Sequence, residues 1–408
     1  MIRFNLIHIS PVRLQRFSLA CPVLALMLFF PPVSIARNEI QPEDTVEIKS
    51  KAAIKTEIEM VVAAHPLAAE AGADILQKGG TAIDAMVAVQ MVLNLVEPQS
   101  SGIGGGAFLL FHNAQSNSLI SFDGREVAPV AADESMFLDP TGQPNRWSEM
   151  VPGGLSVGIP GTLALMDHAH ARYGKLAWES LFEHALKLSK AGFSVSQRLA
   201  KSLKGYGGQR LRQFPAAADY FFPNGEPLVS GDVLTNPEFA ETLIAIQRDR
   251  GETFYHGLIA EKIVSTVKDS PVNPGLLEHA DLEAYRIIER PPICTQYRDH
   301  SVCGMGPPSS GGVTVAQILG ILETFNLKML GPNDPLTWHL FIEAGKLAFA
   351  DRNLFLADPD FIDIPLDAML SEGYLRSRAN LIDLNTVLEV PVAAGKPLEV
   401  VNLFPDTR

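Results

Sequence analysis

The stretch from Ala82 to about Leu95 constrains this chain more than any other. Set on a helix it is apolar nearly all the way round, with Ala85, Met86, Val87, Ala88, Val89, Met91, Val92 and Leu93, so it must lie buried between layers. Its ends are marked: Thr81 can cap it, Asp84 sits favourably near its positive end, and Glu97-Pro98 stops it. Upstream, Val61-Val62-Ala63-Ala64 reads as a short buried strand. Pro66 then suits the first turn of a helix running to about Gln77, with Gly79-Gly80 as its stop. Downstream, Gly102-Ile-Gly-Gly-Gly106 leads into the continuous apolar strand Ala107 to Phe111, and Leu119 to Asp123 reads as its antiparallel neighbour. Two buried helices ahead of a hairpin predict an α+β protein with helices layered on an antiparallel sheet.

The remainder supports a large core, since 47% of residues are hydrophobic and 19% charged. Residues 163–191 and 237–269 are mostly helical, with breaks at Gly174 and Gly192. Ile287 to Gly304 reads as strand, turn, strand. Val313 to Phe325 and Thr337 to Ala357 are amphipathic helices, the first following the breaker Pro307-Pro-Ser-Ser-Gly-Gly312. Residues 387–408 carry Pro, Gly and Lys between short apolar pieces and read as a linker tail.

Residues 1–36 read as a secretory signal: Arg3, Arg13 and Arg16 precede or open the apolar run Phe17 to Phe30, and Ser34-Ile35-Ala36 offers a small-x-small cleavage site. The run is too short to span about 30 Å of hydrocarbon as a helix. An uncleaved anchor is the competing reading; a lipid-modified Cys21 fits badly, because most of the run follows that cysteine. Residues 37–57 read as a charged leader. Without residues 1–36 the net charge falls from −13 to about −16, a surface that repels phosphate backbones and argues against nucleic acid as partner. No later stretch is apolar for long enough to insert stably in a membrane, so the expected product is periplasmic or secreted.

Cys294 and Cys303 flank Tyr297-Arg-Asp-His300. A two-residue turn at Arg298-Asp299 would set the cysteines directly opposite each other, ready for a cross-strand disulfide in an oxidising compartment. Two separate half-buried thiols fit the same spacing, because one residue more in the turn destroys the alignment.

Several patterns that suggest chemistry do not carry it. The glycine cluster lacks the Gly-Lys-Ser/Thr ending of a phosphate-binding loop and leads into a strand, so close backbone packing is the better reading. His168 and His170 fall on different helical faces, which gives no metal pair, and the Gly-x-Ser-x-Gly spacing of Gly154-Leu-Ser-Val-Gly158 follows Val151-Pro-Gly rather than an apolar strand, so it makes no nucleophile elbow. Glu343, Lys346 and Asp351-Arg352 read as a solvated or interdomain salt-bridge face. Arg125 is different. It follows the strand ending at Asp123, with Gly124 positioned to turn the backbone, and its guanidinium could clamp a carboxylate through two parallel charge-assisted bonds. An internal ion pair with Asp123 or Glu126 is the competing reading.

Seven strings in order add a resemblance: Ala64-His-Pro-Leu-Ala-Ala-Glu70, Gly79-Gly-Thr-Ala-Ile-Asp-Ala85, Val96-Glu-Pro-Gln99 with Gly102-Ile-Gly-Gly-Gly-Ala-Phe108, Phe122-Asp-Gly-Arg-Glu126, Ser156-Val-Gly-Ile-Pro-Gly-Thr162, Gly304-Met-Gly-Pro-Pro-Ser-Ser-Gly-Gly312, and Ala350-Asp-Arg352 with Ala357-Asp-Pro359. Together they resemble the γ-glutamyltranspeptidase family over about residues 58–385, with 58–386 as the large-subunit domain. The resemblance implies an N-terminal-nucleophile hydrolase fold, a four-layer αββα sandwich formed from a self-cleaving precursor. It implies glutathione and other γ-glutamyl amides as substrates, hydrolysed or transferred, and no cofactor or metal. In such enzymes a threonine freed at the start of the small subunit attacks the γ-carbonyl, its own amine acts as base, and the ester formed is resolved by water or an acceptor amine. Arg125 falls on the family position that binds the α-carboxylate, while the Pro307 to Gly312 loop is read as structural.

The nucleophilic threonine is expected beyond Arg408, since cleavage before Thr407 would free only a Thr-Arg dipeptide. The expectation is therefore an incomplete sandwich, the large-subunit half only, inactive until a complementary small-subunit chain supplies the nucleophile, with faces such as that of Phe108 to Phe111 uncovered. A catalytically inactive truncated remnant and an acylase of the same fold acting on β-lactam side chains are the alternatives.

Overall fold

The computed structural model describes residues 52–398. The signal reading of 1–36, most of the leader and the last residues of the tail lie outside them. Among the described residues no helix is long and apolar enough to cross a membrane.

Helix α1 (Pro66–Gln77) starts where its proline predicts, and the imidazole Nδ1 of His65 accepts the Leu67 N–H at 3.2 Å as cap. Burial holds the His65 pKa below its ordinary value, against the pull of Glu97, which suits an unprotonated acceptor nitrogen. Helix α2 (Ala82–Val96) opens on a reciprocal capping box. The Thr81 N–H reaches Asp84 Oδ2 at 2.7 Å and the Asp84 N–H reaches Thr81 Oγ1 at 3.2 Å. Asp84 does more than meet a helix dipole. It is fully buried and also accepts the Lys175 and Leu176 N–H groups, so one carboxylate ties the start of α2 to the turn that follows α3 (Thr162–Tyr173). The largest core cluster packs α1 and α2 against Leu163, Met166, Trp178 and Phe182.

Strands β1 (Ala107–Asn113) and β2 (Ser118–Gly124) pair antiparallel, Ala107 opposite Gly124, as their patterning predicts. Helices α4 (Pro237–Asp249) and α5 (Leu258–Lys268) follow. Next, β3 (Ile288–Arg290) returns across the chain to pair with β2, making the three-stranded sheet β1-β2-β3. One side of β1 is covered, where Phe111 packs on Tyr173 of α3 at 4.6 Å between ring centroids, while Leu110 on the other side is 39% exposed. The described residues hold no larger sheet than this one.

Strands β4 (Ile293–Tyr297) and β5 (His300–Gly304) form a hairpin closed by Arg298 and Asp299, with Arg298 at φ +56°. Cys294 pairs with Cys303 in this register, their Cα atoms are 4.1 Å apart, and the two sulfurs are bonded. Counting back from the turn makes this a pair without ladder hydrogen bonds, the pair type with the shorter Cα separation.

Helices α6 (Gly311–Leu322), α7 (Pro335–Phe355) and α8 (Glu372–Ala379) enclose a second core of Ile321, Leu322, Leu340, Leu347 and Leu375.

Three sequence expectations are corrected. Val61 to Ala64 belongs to no strand: Val62 is 84% exposed, and Val61 instead tucks over α1 at Gly72, where a Cβ would lie 2.9 Å from it. The Glu343–Asp351 row is not a solvated face. Both carboxylates are buried. Glu343 takes Lys346 Nζ at 2.7 Å and the Leu388 N–H at 2.8 Å, and Asp351 takes the Tyr374 hydroxyl at 2.7 Å, Arg378 at 3.0 Å and the Gly395 N–H at 2.8 Å. The third follows from the second. Residues 388–395, expected as linker, are pinned by these carboxylates and by Arg378, which donates to the Ala393 carbonyl at 3.1 Å.

Glu343 supplies a pH prediction. Burial works to raise its pKa, but the Lys346 ammonium and the Leu388 N–H outweigh burial and hold it below its ordinary 4.5. A depressed carboxyl stabilises the fold above its unfolded pKa and loses that contribution as pH falls through the folded value. Thermal midpoints of the protein and of Glu343→Gln should therefore differ most above pH about 5 and converge as pH drops below 4.5. A gap that widens on acidification would mean that Glu343 is not held as an anion.

Candidate functional site

Arg125 lies one residue past β2, at the end of the three-stranded sheet, and the chain around it is crowded on every side. A Cβ on Gly106 would come within 2.3 Å of the Glu126 nitrogen and 2.7 Å of Arg125 Cα. One on Gly161 would meet the Tyr285 hydroxyl at 2.0 Å and the Gly124 carbonyl at 2.1 Å. The glycine cluster and the Ser156 to Thr162 string, far apart in sequence, are therefore two walls closing on one turn. Gly124 is not the pivot expected of it. It is ordinary strand backbone at the end of β2, and its missing side chain makes room for Leu165 of α3, whose Cβ would stand 2.5 Å from an added methyl.

Both polar groups of the Arg125 main chain are held by side chains. Its N–H donates to Asp123 Oδ1 at 3.1 Å, and its carbonyl accepts the Tyr285 hydroxyl at 2.7 Å. Asp123 is in turn fixed by Arg290 Nε at 2.8 Å, and Arg290 is gripped by Asp360 through two bonds of 3.1 and 2.8 Å. The Asp360 carboxylate, opposed by burial and helped by Asp123, pushes the Arg290 guanidinium above its ordinary pKa, and Arg290 holds Asp360 below the usual carboxylate range. Burial pushes the Tyr285 phenol up, so it stays a proton donor through the physiological range.

The guanidinium of Arg125 is treated differently. Asp123, one of its two expected partners, spends its carboxylate on Arg290 and on the backbone. Glu126 meets Arg125 Nε at a long 3.4 Å, with both side chains close to half-exposed. The result is a rigid backbone carrying a fork with little to bind, a geometry suited to an incoming carboxylate.

The other sequence candidates do not converge here. Cys294 and Cys303 are in the β4–β5 hairpin. His170 is buried against Leu176 and Asp84, His168 is half-buried beside Glu289, and no metal-binding group of side chains occurs among the described residues. The Pro307 to Gly312 loop carries Ser310, which accepts from Arg352 at 3.0 Å, a contact internal to the fold. Sequence reasoning missed Tyr285, Arg290 and Asp360. Asp360 follows directly on the Ala357-Asp-Pro359 string, which was a signal; Tyr285 has none.

The profile of γ-glutamyltranspeptidases, described as "Gamma-glutamyltranspeptidase", matches residues 68–402. The chain belongs to the γ-glutamyltranspeptidase family. It is 39% identical over 338 residues to a glutathione hydrolase proenzyme of Bacillus subtilis strain 168, covering 83% of this chain and 57% of that protein. A Pseudomonas protein named Acylase ACY 1 proenzyme is 36% identical, covering 79% of this chain and 58% of that one. The chain thus spans somewhat over half the length of these relatives. The crystal structure of Helicobacter pylori γ-glutamyltranspeptidase overlays with a TM-score of 0.78 at 33% identity, covering 83% of this chain and 95% of that one. A cephalosporin acylase from Bacillus halodurans overlays at 0.72 with 27% identity, covering 86% of this chain and 66% of that one. Members of this family of N-terminal-nucleophile hydrolases share the α+β fold, and the turn around Arg125 lies within the matched stretch.

Proposed function

We propose that this chain is the donor-anchoring part of a γ-glutamyltransferase or glutathione hydrolase. Arg125 holds the α-carboxylate of the γ-glutamyl group, and a threonine at the start of a complementary small-subunit chain attacks the γ-carbonyl. The observation that carries this reading is the contrast between two arginines at one sheet end. Arg290 ends on a bidentate carboxylate and serves the fold. Arg125, with the peptide units on both sides of its Cα tied, has among the described residues only the 3.4 Å contact to Glu126 for its guanidinium, so its fork is left to grip a planar anion from outside.

Support for a second chain comes from length. The matched region covers 57% of the Bacillus subtilis proenzyme but 95% of the crystallised Helicobacter pylori chain, a contrast that a precursor divided into two chains would give. The nucleophile is assigned to the partner from the family resemblance, in which processing frees a threonine at the start of the small subunit. Its hydroxyl adds to the γ-carbonyl, its proton passes to the threonine amine and on to the departing amine, and water or an acceptor amine releases the ester. Export to the periplasm or the exterior rests on the apolar run Phe17 to Phe30, outside the described residues, and on the Cys294–Cys303 disulfide, a bond that persists in oxidising compartments.

The acylase relative at 36% identity and the cephalosporin acylase structure at 27% favour a second reading, cleavage of a β-lactam side-chain amide at the same site. Release of p-nitroaniline from L-γ-glutamyl p-nitroanilide separates the possibilities. Chain co-assembled with a small subunit should release it, and the purified chain alone should not. Preference for a cephalosporin side-chain amide would support the acylase, whereas turnover by the isolated chain that survives Arg125→Ala would remove the proposal.

A further inference from the structure

We infer that Tyr285 is a positioning residue for the Arg125 anchor, and that Gly161 is the gap through which its hydroxyl reaches the Arg125 carbonyl. The inference rests on the reading of Arg125 as the carboxylate anchor and adds what sets its aim.

The last ladder pair of the sheet is Ala107 with Gly124, so the Arg125 peptide has no neighbouring strand to fix it. A main-chain carbonyl in a crowded turn must still find a donor. Tyr285 supplies it at 2.7 Å, across 160 residues of sequence. Little freedom is left to the phenol. It is 7% exposed, and it stacks on Tyr255 with ring centroids 6.1 Å apart and planes within 8°. Tyr255 in turn donates to the Pro160 carbonyl at 2.9 Å and accepts the Ala164 N–H at 3.2 Å. The two tyrosines thus brace the Pro160-Gly161 turn from one side, and Gly161 permits the approach, because its Cβ would stand 2.0 Å from the Tyr285 oxygen. With the Asp123 carboxylate on the N–H side, the two peptide units that flank the Arg125 Cα are each held against rotation, which fixes the direction in which the side chain leaves the backbone. A long side chain magnifies any such rotation at its tip, and misplacement of a gripping group by about 1 Å can cost on the order of a hundredfold.

Tyr285→Phe removes the hydroxyl and keeps the ring, its stacking and the shape of the cluster. The test measures calorimetric affinities of the full chain for L-glutamate and for 4-aminobutyrate, which is glutamate without the α-carboxylate. The unmodified protein is expected to prefer L-glutamate. In Tyr285→Phe that preference should fall about tenfold or more, with 4-aminobutyrate affinity unchanged. Gly161→Ala, which presses on both the phenol and the Gly124 carbonyl, should lose the preference as well, and Tyr285→Phe is the variant that isolates the hydroxyl. If both ligands weaken together, or if the preference survives in Tyr285→Phe, Tyr285 is merely structural and the inference fails while the anchor stands. If the unmodified chain shows no preference, the anchor itself is wrong and the inference goes with it.

Discussion

Replacing Arg125 by alanine is expected to lower affinity for L-glutamate about a hundredfold while leaving the thermal midpoint almost unchanged. Each charge-assisted bond from a guanidinium to a carboxylate contributes about 1.5–3 kcal/mol. Two of them at a half-exposed position fall at the low end, and about 3 kcal/mol is a hundredfold in affinity. Stability should hardly notice. The contact that is lost, Arg125 Nε to Glu126 at 3.4 Å between partly exposed side chains, belongs to a class worth about 0–1 kcal/mol. Arg125→Lys keeps the charge and loses the planar fork, so its affinity should lie between the two. Titration calorimetry and thermal unfolding of the three proteins separate binding from folding. An alanine variant that binds L-glutamate as well as its parent ends the assignment, and one that unfolds far earlier makes Arg125 a structural residue.

How much of this arrangement was legible in the sequence follows from distance along the chain. Helices α1 and α2 were readable almost to the residue because Pro66, Thr81 and Asp84 act within one turn of where they stand. The β4–β5 hairpin was readable because a two-residue turn dictates its register. Arg125 could be singled out, but not decided, from its neighbours, since Asp123 and Glu126 both stand within two residues of it. Only the fold shows Asp123 committed to Arg290. Tyr285 was invisible for the same reason: nothing in an Ala-Tyr-Arg triplet announces a partner 160 residues earlier. Val61 to Ala64 failed in the opposite way. Its composition suits a strand, yet a strand needs a partner, and the described residues supply none. The charged row on α7 misled because helical spacing reveals which residues share a face but not what later returns to cover it. Residues 388–395 do return, and they turn a face that looked wet into a buried polar cluster.

That cluster carries the largest stability effect expected here. Asp351 is fully buried and Arg378 is 4% exposed, with 3.0 Å between their charged atoms. The same carboxylate receives the Tyr374 hydroxyl, Gln317 Nε2 and the Gly395 N–H. Asp351→Leu leaves a buried guanidinium without its counter-charge, a change that costs about 3–5 kcal/mol and should lower the thermal midpoint by several degrees. It also frees the Gly395 N–H, so residues 388–395 should become open to limited proteolysis before the rest of the chain unfolds. The double variant Asp351→Leu with Arg378→Met removes both charges together. If the uncompensated charge is the cause, the double variant should be more stable than the Asp351→Leu single. It should not regain protection of the tail, because Gly395 still lacks its acceptor and Ala393 has lost the Arg378 donor as well. Equal stability of the single and double variants would mean that the hydrogen bonds of Asp351, and not its charge, hold this end of the protein together.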